Sequence, residues 1–456
     1  MQVNSKNLPF LLSDIIAFYG ALLLSLIFRL GFNFDLFVFW LHLKPFTLLL
    51  GLWLVIFYIT GLYEIQNFSK RHLHLKLTLL GVFVSLWASV IFFYLLPIFA
   101  LTPKTILVLL VTFFLLIDFP IRSLLYYYYL QTRPPLNVLL LGAGVDTKEL
   151  ASYFEDKPQL GYKIYFWELV GKTNSSLEPK KLKELIQAYK ITTVVISDKV
   201  KQNKKLTAAI YQELLAGTNI VSLSEFYENS LGKVSLDELE EEWFLEKLIP
   251  RNRFYLLLKR ILDLALALTL LIIILPLWPI IIFLVKSSSR GSIFFTQRRV
   301  GLREREIVVS KFRTMHQLKK GEVRDVLMKK GQLNLESKEN LSRIFFFGKL
   351  LRRTHLDELP QVFNVLKGEL SFIGPRVEFV EMHNHLKSQI PYYQIRTIIK
   401  PGLTGWAQIH GQTSNTVKAA RERLAYDIYY IKNRSFVLDL VISLKTLRTI
   451  LTFSGV

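Results

Sequence analysis

Cysteine is absent from this chain of 456 residues. That excludes disulfides, thiolate metal ligands and cysteine nucleophiles. Acidic residues are also scarce, with 36 Asp and Glu against 57 Lys and Arg, for a formal net charge of +21. A surplus of that size fits nucleic acid, anionic lipid or a phosphorylated substrate equally well. Its position separates them. The basic residues are dense between Lys286 and Arg353, directly after an apolar segment, which favours a membrane surface and phosphate groups over a duplex. No nucleic-acid partner is expected. Met1 to Phe10 also lacks a basic stretch and a small-residue cleavage site, so the first apolar segment is expected to be retained as an anchor.

Apolar side chains are what the chain has in excess. They make up 51% of the residues, mean hydropathy is +0.33, and they are concentrated before Leu130 and again from Leu256 to Val285. Leu8 to Leu30, Leu36 to Leu62, Leu75 to Leu101 and Ile106 to Leu130 each supply the ~20 apolar residues that cross a bilayer. Lys70, Arg71 and Lys76 lie between the second and third stretches, and Arg122 and Arg133 mark the end of the fourth. The positive-inside rule then puts both ends of a four-helix bundle in the cytoplasm. Asp118 and Arg122, one turn apart, are read as an interfacial ion pair, with a proton path as the alternative.

Pro134 and Pro135 mark a boundary. Beyond them, Leu136 to Leu141 reads as a buried strand running into Gly142 and Gly144, followed by a helix around Lys148 to Phe154. Further strands are expected at Thr192 to Ser197 and Asn219 to Leu223, giving a small parallel α/β domain that ends near Trp243. The glycine turn resembles a dinucleotide-binding unit, but Thr147 replaces the third glycine and no convincing acidic residue closes a second strand. A structural or regulatory domain is the preferred reading, with cofactor binding as the alternative.

The run from Phe254 to Lys286 is long enough to span a membrane. Arg251, Arg253, Lys259 and Arg260 surround its start, however, and Lys286, Arg290, Arg298 and Arg299 follow its end. Positive charge on both sides argues that both ends are cytoplasmic. Pro276 and Pro279 inside the run each remove a backbone donor, which predicts a sharp break. The expected form is a re-entrant helix-break-helix, against the alternative of a kinked fifth span.

After this segment, three basic turns are expected to surround an adjacent pair of carboxylates. Gln297, Arg299 and Gly301 are placed on one turn, Lys311 and Arg313 follow a β-like run at Ile307 to Val309, and Gly374, Pro375 and Arg376 form another. Such guanidinium and ammonium groups suit phosphate. The carboxylates are Asp357 and Glu358, preceded by Arg352 and Arg353. Thr354 is read as an N-cap that puts Asp357 in the first helical turn, where the helix dipole and the arginines favour its ionised form. Completing a capping box is the mundane alternative.

In these blocks the sequence resembles the bacterial sugar transferases, the polyprenyl-phosphate hexose-1-phosphate transferases. The resemblance runs from Lys259-Arg260 with Asp263, through Gln297, Arg299 and Gly301, to Lys311-Phe312-Arg313-Thr314-Met315. It continues with Leu351-Arg352-Arg353, Asp357-Glu358-Leu359-Pro360-Gln361, Asn364-Val365-Leu366 with Gly368, and Gly374-Pro375-Arg376. Lys400-Pro401-Gly402 with Thr404-Gly405-Trp406 and Gln408 closes it. It implies transfer of a sugar 1-phosphate from a UDP-sugar to polyprenyl phosphate, with Asp357 as nucleophile and UMP as leaving group. It further implies Mg²⁺ held by Asp357 and Glu358, substrate binding by Gln297, Arg299, Lys311, Arg313, Arg352, Arg353 and Arg376, and phosphate charge neutralised by Lys311, Arg313, Arg352, Arg353 and Arg376.

The expected fold is therefore a membrane α-helical bundle (1–133), a Rossmann-like α/β domain (134–250) and a mostly α-helical catalytic domain (251–456) with a re-entrant helix at 254–286. The expected location is the bacterial inner membrane, with the catalytic domain on the cytoplasmic face against an anionic lipid bilayer. A homodimer is left open. Two competing functions are a membrane-tethered NAD-dependent nucleotide-sugar dehydratase or epimerase, and a non-enzymatic polysaccharide-assembly scaffold.

Overall fold

Long apolar runs with few charges become helices here because a helix satisfies its own backbone in an apolar surround. The computed structural model describes residues 8–31, 36–63, 71–95, 104–128, 135–142, 144–168, 179–201, 203–239, 241–248, 253–316, 343–411 and 416–451. The first four helices are α1 (Leu8–Leu30), α2 (Leu36–Thr60), α3 (Arg71–Leu95) and α4 (Lys104–Tyr127), close to the four apolar stretches of the sequence. With the segment Arg253–Ser288, five helical segments among the described residues are long and apolar enough to cross a membrane by length and composition.

In α1 the buried residues Ala17, Phe18, Ala21, Leu22 and Leu26 form one face, and with Trp53, Phe57 and Phe114 they make a common core. Asp118 and Arg122 do pair, at 2.8 Å, but they are buried rather than interfacial. Arg122 also binds Asp14 of α1 at 2.5 Å, and Tyr63 donates to the same Asp14. A single Arg thus bridges α1 and α4 where an unpaired charge would be costly.

Strands β1 (Leu136–Gly142), β2 (Tyr162–Glu168), β3 (Thr193–Ile196) and β4 (Asn219–Ser222) form a parallel sheet in the order β2-β1-β3-β4. Helices α5 (Val145–Glu155), α6 (Pro179–Ala188) and α7 (Lys204–Leu215) lie between them in sequence. Leu139, Leu141 and Val194 pack with Leu182, Ile186, Leu206 and Ile210. Of these four strands, β2 is the one that the sequence pattern does not show.

The chain divides into two compact units, 1–227 and 228–456. In the second, α8 (Arg253–Ile274) and α9 (Trp278–Ser288) are separated by a 3-10 turn at Leu275–Leu277 that contains Pro276. Both halves pack against the same polar layer. Ala267 of α8 is buried with Ile307, Val309, Val362, Val365 and Leu370, while Ile281 and Val285 of α9 are buried with Phe312, Phe345 and Leu351. Large apolar side chains such as Ile272, Ile273, Leu275 and Phe283 face outward.

That layer is not purely helical. β5 (Phe294–Val300) and β6 (Glu306–Phe312) form an antiparallel hairpin, which β8 (Glu378–Phe379) extends, and β7 (Ser371–Ile373) pairs with β9 (Gly402–Thr404). The helices around it are α10 (Phe346–Arg353), α11 (Val362–Lys367), α12 (Val380–Gln389), α13 (Val417–Asn433) and α14 (Phe436–Leu451). Residues before 251 already belong to this unit. Trp406 Nε1 donates to Gly232 O at 2.6 Å, Val234 N to Ala425 O at 3.1 Å, and Lys432 binds Glu228 at 2.6 Å. These are isolated hydrogen bonds and an ion pair, which leave no periodic pattern in the sequence.

Candidate active site

Asp357 and Glu358 lie at the start of a 3-10 segment, Leu356–Gln361, directly after α10. The turn between them is made by His355, whose φ of 55° is left-handed. Thr354 is not the N-cap of this segment. Its hydroxyl donates backward to Leu350 O at 2.8 Å, closing the C-terminal end of α10. The sequence motif is therefore a helix end, a left-handed corner and a new turn.

The two carboxylates have different surroundings. Glu358 is half-buried and forms an ion pair with Lys311 of β6. Burial works against its ionisation, but Lys311 and Arg376 outweigh it and hold the carboxyl below its ordinary range. Asp357 is 8% exposed and accepts no hydrogen bond among the described residues. Burial first, and the Glu358 charge second, push it up to about 6, against the pull of Lys311, Arg352 and His355. The expected dipole-favoured carboxylate is thus the harder of the two to ionise, because desolvation exceeds the helix-end effect.

Gln297 and Arg299 were expected on a turn and lie instead on β5, on the same face two residues apart. Arg299 donates to Gln297 Oε1 at 2.7 Å and stacks on the Phe379 ring at 3.4 Å from its centre. Burial and the neighbouring Arg376 lower its pKa to about 10. Arg376 stands on the Gly374-Pro375-Arg376 turn as expected. Lys311, Arg299, Arg376 and Arg352 are therefore gathered near the dyad. Arg313 is not. It is buried, and its guanidinium donates to Ser289 O at 2.6 Å and Arg290 O at 2.9 Å, fastening the end of α9. Arg353 is exposed on the last turn of α10.

Several residues at the site carried no signal in the sequence. Arg396 donates to the Arg376 carbonyl at 3.1 Å, and is itself held by Glu378 at 2.5 Å and Asp427 at 2.8 Å. Arg423 and Tyr393 bind the same Glu378. All five are buried. The Arg376 turn is also fixed by close backbone contact with β9, where Gly374 N donates to Thr404 O and Gly402 N to Pro375 O, both at 2.9 Å.

Two carboxylates do not make a complete metal cage. Among the described residues no group of three or more His, Asp or Glu could hold an ion. That donor set still fits Mg²⁺, which commonly binds through one or two carboxylates with substrate phosphates and water completing its shell.

The bacterial sugar transferase profile matches residues 254–453. An exopolysaccharide production protein of Rhizobium leguminosarum bv. phaseoli is 36% identical over 202 residues, 43% of this chain and 96% of that protein. The chain belongs to the bacterial sugar transferase family. Two longer relatives carry a defined reaction in their names. A UDP-N-acetylgalactosamine-undecaprenyl-phosphate N-acetylgalactosaminephosphotransferase of Aeromonas hydrophila is 36% identical over 242 residues, 53% of this chain and 54% of the relative. A UDP-glucose:undecaprenyl-phosphate glucose-1-phosphate transferase of Xanthomonas campestris pv. campestris is 38% identical over 203 residues, 43% of this chain and 40% of the relative. The match spans about half, or less, of the length of these two sugar transferases. The profile match, 254–453, includes the dyad, the β5–β6 hairpin and the Arg376 turn.

Proposed function

We propose that this sugar transferase moves a sugar 1-phosphate from a UDP-sugar to undecaprenyl or another polyprenyl phosphate, releasing UMP and starting exopolysaccharide, capsule, O-antigen or glycoconjugate assembly. The observation that carries the reading is the pair itself. One carboxylate is buried and free of hydrogen bonds, and its neighbour is tied to a lysine. Adjacent carboxyls pushed apart in this way suit different roles. Asp357 attacks the sugar-bearing phosphorus, the bond to UMP breaks, and UMP leaves with the electron pair. An oxygen of the polyprenyl phosphate then attacks that phosphorus and regenerates the carboxylate. An acyl phosphate is a good donor for such a second step. Arg299, Arg376 and Lys311 neutralise the diphosphate and the leaving group. Asp357 and Glu358 would hold Mg²⁺, whose charge would offset the repulsion between diphosphate and carboxylates.

The decisive experiment is UMP release from a panel of UDP-sugars by the purified protein in nanodiscs with polyprenyl phosphate. Release that depends on the lipid is expected for at least one sugar. No release from any would end the proposal.

Ionisation of Asp357 adds a pH test. Because the nucleophile must be deprotonated and its pKa is about 6, kcat/KM should be level above that pH and fall roughly tenfold per unit below it. Glu358→Gln removes the adjacent negative charge and should move the acid limb to lower pH in whatever activity remains. An unmoved limb would separate the two groups.

The membrane arrangement belongs to the same proposal. α8 and α9 enter the inner leaflet and return, and the catalytic domain, 251–456 in this division, faces the cytoplasm. The packing of both halves on one polar layer and the basic residues at both ends support this. Residues 134–250 are proposed to be a Rossmann-like domain, on the strand order β2-β1-β3-β4. In this cysteine-free chain, Arg253→Cys and Ser288→Cys should each react with an impermeant thiol reagent only from the cytoplasmic side. Labelling of Ser288→Cys from outside would make α8 and α9 a span.

A further inference from the structure

Among the described residues, Arg260 and Lys400 have no acidic partner at contact distance. Arg260, two turns into α8, donates to Val365 O at 2.6 Å and Leu366 O at 2.8 Å in the last turn of α11, where Val365 O also accepts Gly368 N at 3.0 Å. Lys400 makes no hydrogen bond and no ion pair among the described residues. The two meet at Gly368, whose φ is +83°. A Cβ built there would lie 3.4 Å from Arg260 Nη2 and 3.4 Å from Lys400 Nζ. The absent side chain lets both cationic groups approach the Gly368 backbone, and paired ammonium and guanidinium donors suit a phosphate.

The neighbouring charges are otherwise engaged. Lys259, next to Arg260, is paired with Asp439 at 2.9 Å. Asp263, one turn on, accepts from Ser371 Oγ at 3.2 Å and Phe372 N at 3.1 Å. Glu369, next to Gly368, accepts from Asn364 at 2.6 Å. The helix dipole of α11 accounts for Arg260 but not for a second cation beside it. Burial and the Arg260 charge lower the pKa of Lys400, and Asp263 only partly offsets them. Around the pair, Leu257, Ile261 and Ile398 are exposed apolar side chains. Charge and apolar surface together match an amphiphile with an anionic head.

We propose that Arg260 and Lys400, across the Gly368 turn, form a binding site for a lipid-borne phosphate at the base of the α8–α9 wedge. The site rests on the reading of α8–α9 as membrane-embedded. It does not use Asp357, Glu358 or the arginines around them. Its occupant is either the headgroup of an anionic phospholipid or the phosphate of a polyprenyl phosphate, which present the same chemistry.

The test is native mass spectrometry of the full chain in detergent, titrated separately with phosphatidylglycerol and with a polyprenyl phosphate. Lys400→Gln should weaken retention of one of the two about tenfold, the scale of one charge-assisted contact, while Lys400→Arg should keep it. Selective loss of phosphatidylglycerol assigns the headgroup. Selective loss of the polyprenyl phosphate assigns the carrier, and should appear in turnover as a raised KM for that lipid with an unchanged KM for the UDP-sugar. Retention of both lipids by Lys400→Gln at wild-type strength overturns the site. A protein that binds lipid through Lys400 yet releases no UMP from any UDP-sugar keeps the site and loses the proposed reaction.

Discussion

Asp357→Asn is expected to abolish UMP release, by roughly 1,000-fold or more, while the protein stays folded. The amide has nearly the same shape, so packing in the 3-10 segment is preserved. It removes a carboxylate that no described residue hydrogen-bonds, so no structural contact is lost with it. Since desolvation works against the charged form of Asp357, the neutral amide should leave thermal stability unchanged or slightly raised at neutral pH. Turnover and unfolding therefore separate the roles. Normal UMP release would remove Asp357 as nucleophile, and loss of folding would reduce it to a structural residue.

Gly402→Ala is expected to destabilise the second unit by about 3 kcal/mol or more and to raise the KM for the UDP-sugar. A Cβ on Gly402 would lie 2.1 Å from Gly374 N and 2.6 Å from Thr404 O, both backbone atoms that no rotamer change can move. Relief requires the strand β9 and the Arg376 turn to separate, which breaks the hydrogen bonds joining them. Gly411→Ala is the control. Its φ is +77° but nothing lies within 4 Å of the added carbon, so the cost is about 1 kcal/mol from backbone conformation. Equal melting temperatures for the two variants would show that the close approach is not what fixes the turn.

The parts of this fold that could be read from sequence are those governed by short-range pattern. The apolar helices were legible because a membrane-length run has few other uses, and the break at Pro276 because proline cannot donate. β5 was missed because Phe294 to Val300 is mostly exposed, and a strand with little buried face lacks the period-two alternation that marks one. β2, Tyr162 to Glu168, has aromatic residues on both faces and the same defect. At the site, the dyad and its basic residues were visible as local clusters. The split in carboxylate pKa was not, since it depends on desolvation. Nor was the network of Glu378, Arg396, Arg423 and Asp427, which three separate segments contribute and which looks like ordinary surface charge until it is buried. Arg313 shows the opposite limit. A basic residue inside a motif read as phosphate-binding can spend its donors on main-chain carbonyls.

The way α8 joins the polar layer bears on how the catalytic machinery can be dissected. Ala267 is fully buried against Val362 and Val365, Arg260 covers the carbonyl end of α11, and Asp263 holds Ser371 and the Phe372 amide. A water-soluble fragment that begins after Ser288 would uncover an apolar seam and strand several main-chain groups within a few residues of Asp357. In the proposed re-entrant arrangement, α8 and α9 would be as much a wall of the reaction chamber as an anchor. Any minimal active version of this enzyme therefore has to start upstream of Arg260 and be handled in detergent or a lipid disc.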